Sequence, residues 1–349
     1  MLSRSMGKIS LLFVLITGAA ALGAEAAPLQ VKVVVVTTFE VGADTGDRPG
    51  EFQLWAEREK FTRKIAVPGM VHPVYANDQG ELAVVSGTTS RCAVQLMALG
   101  LDPRFDFTHA YWILAGIAGV DPAGASVGSA AWAQFVVDGD VAYEIDSREV
   151  PADWPYGIIP IGGKKPNDAP KSEGWEPAVM AYPLNPALVA RAYALSKDVP
   201  LMDTPELQAF RSAYRGYPNA LKPPFVLIGD VVGSCRYWHG TAMTQWAKDW
   251  TRLWTKGKGN FVMTAMEDQG YALALTELAG LGKADFQRVL VLRTGSNYCM
   301  PAPQESAVAS LQAGFPGYIP SVESAYRVGG AVVHDILDHW TETYAGGVK

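Results

Sequence analysis

Residues Val31 to Thr37 read Val-Lys-Val-Val-Val-Val-Thr, a run made mostly of β-branched side chains. Such a run fits a strand buried on both faces, and a strand of that kind belongs inside a parallel or mixed sheet covered by helices. The rest of the chain repeats the alternation. Strand-like stretches at Glu81–Ser86, Ala110–Leu114, Ser129–Val137, Pro224–Ile228, Asn260–Thr264 and Arg288–Leu292 are interleaved with helical ones. Helices are expected at Glu51–Lys60, Ser90–Leu99, Pro186–Leu195, Thr204–Tyr214, Thr241–Trp254 and Met266–Leu281, with two more at the C-terminus, the second over Ser321–Thr343. Trp246, Trp250 and Trp254 recur every fourth residue and read as a core-facing stripe. The pattern predicts an α/β fold of three layers, a mixed central sheet with helices on both faces.

Two segments depart from this pattern. At the N-terminus, Arg4 and Lys8 precede an apolar stretch from Ser10 to Leu22, followed by Ala24-Glu25-Ala26. That is the layout of a secretory signal peptide covering residues 1–26, cut after Ala26 or Ala27. The apolar stretch is shorter than the ~20 residues that span a bilayer, so cleavage is preferred over anchoring. The mature protein, residues 27–349, is then expected as one exported domain, periplasmic or extracellular, with no membrane insertion. The second segment, from about 150 to 186, is rich in Pro and Gly and reads as a long surface insertion.

Several function classes are disfavoured. A net charge of −6 with no basic run argues against nucleic acid as a partner. The three cysteines, Cys92, Cys235 and Cys299, match no zinc spacing, and His334 and His339 are five apart, wrong for one helix face, so no metal is expected. The odd count leaves at least one free thiol, and a Cys235–Cys299 disulfide stays open. There is no phosphate loop ending in Gly-Lys-Ser/Thr.

In such sheets ligands collect at the carboxyl ends of strands. Asp47 and Arg48 lie in the loop after the first strand. Gly87, Thr88, Thr89, Ser90 and Arg91 follow the second, where they either converge on an anion or simply cap the next helix through Ser90. Gly116, Ala118 and Gly119 follow the third in what reads as a glycine turn, and Ser296 and Asn297 follow the last. Met266 and Glu267 open a helix, and the Glu267 carboxylate either takes hydrogen bonds from a vicinal diol or serves its own helix dipole. Asn297 offers a donor and an acceptor together, suited to a purine edge, or a local turn bond. His239 reads equally as a pocket or a structural histidine.

In this order, these elements resemble the nucleoside phosphorylase and nucleosidase superfamily. More closely the chain is similar to the purine nucleoside permease family, through Val36-Thr-Thr-Phe-Glu40, Leu114–Pro122, Gly229–Gly240, Ala265-Met-Glu-Asp268 and Val291–Tyr298. The resemblance implies a ribosyl pocket. Met266 and Glu267 match its sugar-contacting pair, Asn297 the residue that holds the purine, and Gly116 to Gly119 the loop beside base and sugar. Thr88, Thr89, Ser90 and Arg91 lie where phosphate or attacking water is held. Asn297 stands where many relatives carry an acid, and an amide cannot donate a proton as a general acid, which leans toward a 6-oxopurine. The implied function is purine nucleoside binding with cleavage of the N-glycosidic bond, by phosphorolysis or hydrolysis, in support of uptake. Inorganic phosphate would be the one co-substrate and no other cofactor is implied. The alternative is a non-catalytic nucleoside-binding component of a transport system. A homo-oligomer or a separate membrane carrier would complete either reading.

Overall fold

The computed structural model describes residues 27–168 and 179–348. The expected signal peptide lies outside the described residues, as does 169–178 of the expected insertion. Among the described residues, twelve strands join in one mixed sheet. From one edge its main path runs Ala181–Pro183, Phe135–Asp138, Asp230–Gly233, Phe261–Ala265, Tyr111–Val120, Val33–Thr37, Glu81–Val85, Val74–Ala76 and Arg63–Ile65. The strand Val289–Tyr298 lies parallel along the other edge of Tyr111–Val120 and passes the sheet on to Ala130–Trp132 and Val226–Ile228.

The valine run does what its composition requires. Val33 to Thr37 are all buried, and the strand pairs in parallel with Glu81–Val85 on one side and Tyr111–Val120 on the other. Successive side chains of a strand point to opposite faces. Leu292 accordingly meets Gly329 of the long helix Tyr318–Asp338, while its neighbour Arg293 meets Asp268 at the start of the helix Asp268–Gly280. Helices therefore cover both faces of the sheet. Thr241–Trp254 forms as expected, with Trp246 and Trp250 buried in its core-facing stripe. Asn185 and Thr204 cap the helices Pro186–Ser196 and Pro205–Arg211 with their side chains.

Several local expectations are corrected. Ala115 to Gly119 is not a turn but the second half of the ten-residue strand Tyr111–Val120, and Arg293 to Tyr298 likewise belongs to the fully buried strand Val289–Tyr298. The two strands pair along nearly their whole length, and a register shift between Gly295 and Asn297 replaces the turn. Glycine serves here as space. A Cβ on Gly116 would stand 2.5 Å from Arg293 Nη1 and from Glu51 Oε1. The Ser129–Val137 stretch splits into Ala130–Trp132 and Phe135–Asp138 because the Asp230 carboxylate accepts from the Gln134 and Phe135 amides between them. Asp230 itself opens a strand rather than a turn. Ser90 precedes its helix without a side-chain cap bond, and the helix after Met266 begins at Asp268. The first helix is confined to Gln53–Arg58, and the long C-terminal helix begins at Tyr318. Within the expected insertion, Ile158–Pro160 pairs with Ala142–Glu144 and Ala181–Pro183 forms the sheet edge. All three cysteines are free; Cys235 is exposed, while Cys92 and Cys299 are buried.

Candidate functional site

Where Tyr111–Val120, Phe261–Ala265 and Val289–Tyr298 meet, they enclose a cavity of about 260 Å³. Its floor is a charge cluster. Arg293, only 1 % exposed, donates from Nε and Nη2 to Asp268 at 3.0 Å each, from Nη2 to Glu267 at 2.9 Å, and from Nη1 to the Ile117 carbonyl at 3.2 Å. Glu51 completes the cluster. Its Oε2 accepts from the Thr38 amide and hydroxyl at 2.7 and 2.8 Å, and its Oε1 accepts from the Ile117 amide at 2.7 Å, with Arg293 Nη1 at 3.9 Å.

Three carboxylates share one guanidinium, so ionising all of them in this buried setting is costly. Burial pushes Glu267 up to about 7, a rise that Arg293 opposes and Glu51 and Asp268 reinforce. Burial likewise raises Glu51, against the pull of Arg293 and its backbone donors. Glu267 Oε2 is held by Arg293 and by the Met266 amide, while no hydrogen bond ties down Oε1 of this cavity-lining residue among the described residues. The site thus has a carboxylate fixed on one side and open on the other, poised near neutrality.

The opposite end is neutral and polar. Asn297 donates to the Tyr298 carbonyl and to the Tyr237 hydroxyl, at 3.0 Å each, and its Oδ1 accepts from the Ser296 hydroxyl at 2.9 Å. Apolar walls from Phe39, Ile117, Met266, Trp238, Phe315 and Tyr318 join the two ends. Charged floor, neutral polar cap and flat apolar sides suit a ligand with hydroxyls at one end and an aromatic heterocycle at the other.

Of the residues singled out from sequence, Thr88, Ala118, Gly119, Met266, Glu267, Ser296 and Asn297 all line this cavity. Gly116 lies beneath the floor, against Arg293 and Glu51. Thr89, Ser90 and Arg91 are not among the cavity-lining residues; the Arg91 stem runs beside Gly87, and Thr89 carries a left-handed φ of +60°. His239 faces a smaller adjoining space with Tyr214, Tyr298 and Leu311. Its ring nitrogens have no partner among the described residues, and burial lowers its pKa. Sequence reasoning did not single out Glu51, Thr38, Tyr237 or Arg293. Arg293 had one signal, a lone charge inside a buried apolar run; Glu51 had none, since only the folded sheet brings it to Arg293. Among the described residues no cluster of three His, Cys, Asp or Glu is set to hold a metal.

The tight floor makes a first prediction. Gly116→Ala should destabilise the protein by about 1–3 kcal/mol, because the new methyl group collides with both members of a buried ion pair. Urea unfolding checks this, and an unchanged midpoint would mean that the floor is looser than its distances.

The family model described as Purine nucleoside permease (NUP) matches residues 30–349. A Schizosaccharomyces pombe protein called a probable purine nucleoside permease is 28% identical over 324 residues, 89% of this chain and 90% of that protein. A purine nucleoside permease of Candida albicans is 28% identical over 331 residues, 92% of this chain and 78% of the relative. Among solved structures, the 5'-methylthioadenosine/S-adenosyl homocysteine nucleosidase of Helicobacter pylori superposes with a TM-score of 0.51 at 14% identity, covering 88% of this chain and 99% of the other. The corresponding nucleosidase of Streptococcus pneumoniae gives 0.50 at 13% identity, covering 87% and 99%. At those identities the structures speak for the fold alone. The match over residues 30–349 settles kinship, and the chain belongs to the purine nucleoside permease family, built on the α/β fold of the nucleosidases.

Proposed function

We propose that the cavity binds a purine nucleoside and cleaves its N-glycosidic bond with water as the nucleophile. The observation that carries the reading is Glu267, anchored through Oε2 and open through Oε1 at the floor of a cavity with apolar side walls. A carboxylate held this way accepts hydrogen bonds from the ribose hydroxyls. It also places negative charge beside the sugar as that ring becomes cation-like in the transition state. Met266 packs on the sugar, and the neutral end around Asn297 receives the base.

Glu51 supplies the base for the attacking water. It lines the cavity, three donors fix its carboxylate, and burial raises its pKa above the ordinary carboxylate value, which makes it a stronger proton acceptor. The balance is simple. Water adds its oxygen to C1′ and gives a proton to Glu51, the C1′–N9 electron pair leaves with the purine, and the purine takes up a proton from solvent. Thr88 stands at the cavity wall within the segment suggested for the nucleophile.

Water is favoured over phosphate on electrostatic grounds. Every donor nitrogen of Arg293 is already committed to carboxylates or to the Ile117 carbonyl. The one cation lining the cavity among the described residues is Arg236, which is paired with Glu144. A phosphate dianion beside Glu51 and Glu267 would have no free counter-charge.

A second reading, a nucleoside-binding component that hands intact ligand to a separate carrier, draws on the relatives named permeases. It also draws on the absence, among the described residues, of any helix long and apolar enough to cross a membrane. Incubating the purified protein with adenosine, inosine, guanosine and uridine, and following free base by chromatography, separates the two. Purine release with uridine left intact supports cleavage. Calorimetric binding of purine nucleosides with no release supports the carrier-linked reading, and an absence of both binding and release overturns purine recognition itself. Export is part of the proposal: the N-terminus of protein recovered from outside the cytoplasm should begin at Ala27 or Pro28, and an intact Met1 would contradict it.

A further inference from the structure

Asn297 is the residue expected to read the base, yet its amide is already spoken for. Only an N–H can face the Tyr298 carbonyl at 3.0 Å, so the orientation of the amide is fixed. Its second N–H goes to the Tyr237 hydroxyl oxygen, also at 3.0 Å. No donor remains on Asn297. What remains is its Oδ1, which accepts one bond from Ser296 and keeps a second lone pair free. Tyr237 Oη receives the Asn297 N–H, so its own hydrogen is the donor left over, and Tyr237 lines the same cavity. Burial holds the Tyr237 phenol above its usual range, so it stays an O–H group at neutral pH.

A purine entering this end therefore meets one donor beside one acceptor. Bond cleavage pushes electrons into the imidazole ring of the base. A donor lowers the barrier only where that charge develops, and with N9 still bonded to the sugar that atom is N7. With the Tyr237 hydroxyl at N7, the neighbouring acceptor Asn297 Oδ1 meets the substituent on C6. An amino group there donates a hydrogen bond. An oxo group sets lone pair against lone pair.

Resting on the function proposed above, we infer that the site selects 6-aminopurine nucleosides, with the Tyr237 O–H donating to N7 and Asn297 Oδ1 accepting from the exocyclic amine. This reverses the lean toward 6-oxopurines, which rested on the inability of an amide to protonate the base; with both amide hydrogens given to Tyr237 and Tyr298, Asn297 offers the C6 substituent only an acceptor.

Wild type and Tyr237→Phe should be compared on adenosine, inosine and 7-deazaadenosine, which lacks the N7 acceptor, by calorimetric affinity and by kcat/KM. Tyr237 is 45 % exposed, so losing its hydroxyl should leave the fold intact, checked by an unchanged melting temperature. Adenosine should be preferred to inosine by about tenfold or more in affinity, and Tyr237→Phe should weaken adenosine by about tenfold. The substitution should leave 7-deazaadenosine unchanged. Equal or better handling of inosine, or an equal loss for adenosine and 7-deazaadenosine, overturns the inference while purine recognition stands. Failure to bind or cleave any purine nucleoside overturns both.

Discussion

Glu267→Gln should lower kcat/KM for purine nucleoside cleavage by about 10²–10³-fold while leaving the protein folded. The substitution keeps the shape and the hydrogen bonds from Arg293 and Met266 but removes the negative charge facing the sugar. Charge, not contact, is the expected loss, so kcat should fall more than KM rises. The pH profile gives an independent readout. Glu267 titrates at about 7 in the folded protein and acts ionised, so wild-type activity should rise as pH passes upward through that value. In Glu267→Gln that limb should move away from about 7, leaving only the titration of the base Glu51. A variant with full activity, or one whose limb keeps the wild-type midpoint, would remove Glu267 from the chemistry.

Arg293→Met should be the most damaging single substitution for stability. The side chain is replaced by one that fits a buried strand, but Glu267, Asp268 and Glu51 lose their shared cation. Breaking a buried pair of this kind costs roughly 3–5 kcal/mol, a large share of the ~5–15 kcal/mol by which ordinary domains are stable. The sign of its pH dependence follows from the carboxylates. A folded-state pKa raised to about 7 means that the native state holds the Glu267 proton more tightly than the unfolded chain, whose glutamates titrate near 4.5. Stability from this group is complete below that lower value and is lost as pH rises through about 7. The deficit of Arg293→Met should therefore shrink in acid and widen above neutrality. Denaturant midpoints at about pH 5 and pH 8 test this, and a pH-independent deficit would mean that lost packing, not stranded charge, explains the damage.

The layers of the fold were readable because burial on both faces leaves a compositional mark. Val33 to Val36 could sit nowhere but a covered sheet, and the tryptophan stripe of Thr241–Trp254 named its own core face. Gly116, Gly119 and Gly295 misled, since glycine in a sequence suggests a turn, whereas here Gly116 clears room for the Arg293 guanidinium. The site was half legible for the same reason. Met266, Glu267, Ser296 and Asn297 sit at strand ends, where ligands gather, and they line the cavity. Glu51 and Tyr237 reach it from elements far away in the chain. No local pattern foretells that a glutamate just ahead of a helix will share an arginine with Glu267, or that a tyrosine will take the last amide hydrogen of Asn297.

The most direct test of the account is the identity of the sugar released from a purine nucleoside by the purified protein, measured with no phosphate and then with millimolar phosphate. The account predicts free base together with free ribose at a rate that phosphate does not change. Release that requires phosphate, with ribose 1-phosphate as the product, would contradict it, because the cavity would then hold an anion for which its floor offers no free cation.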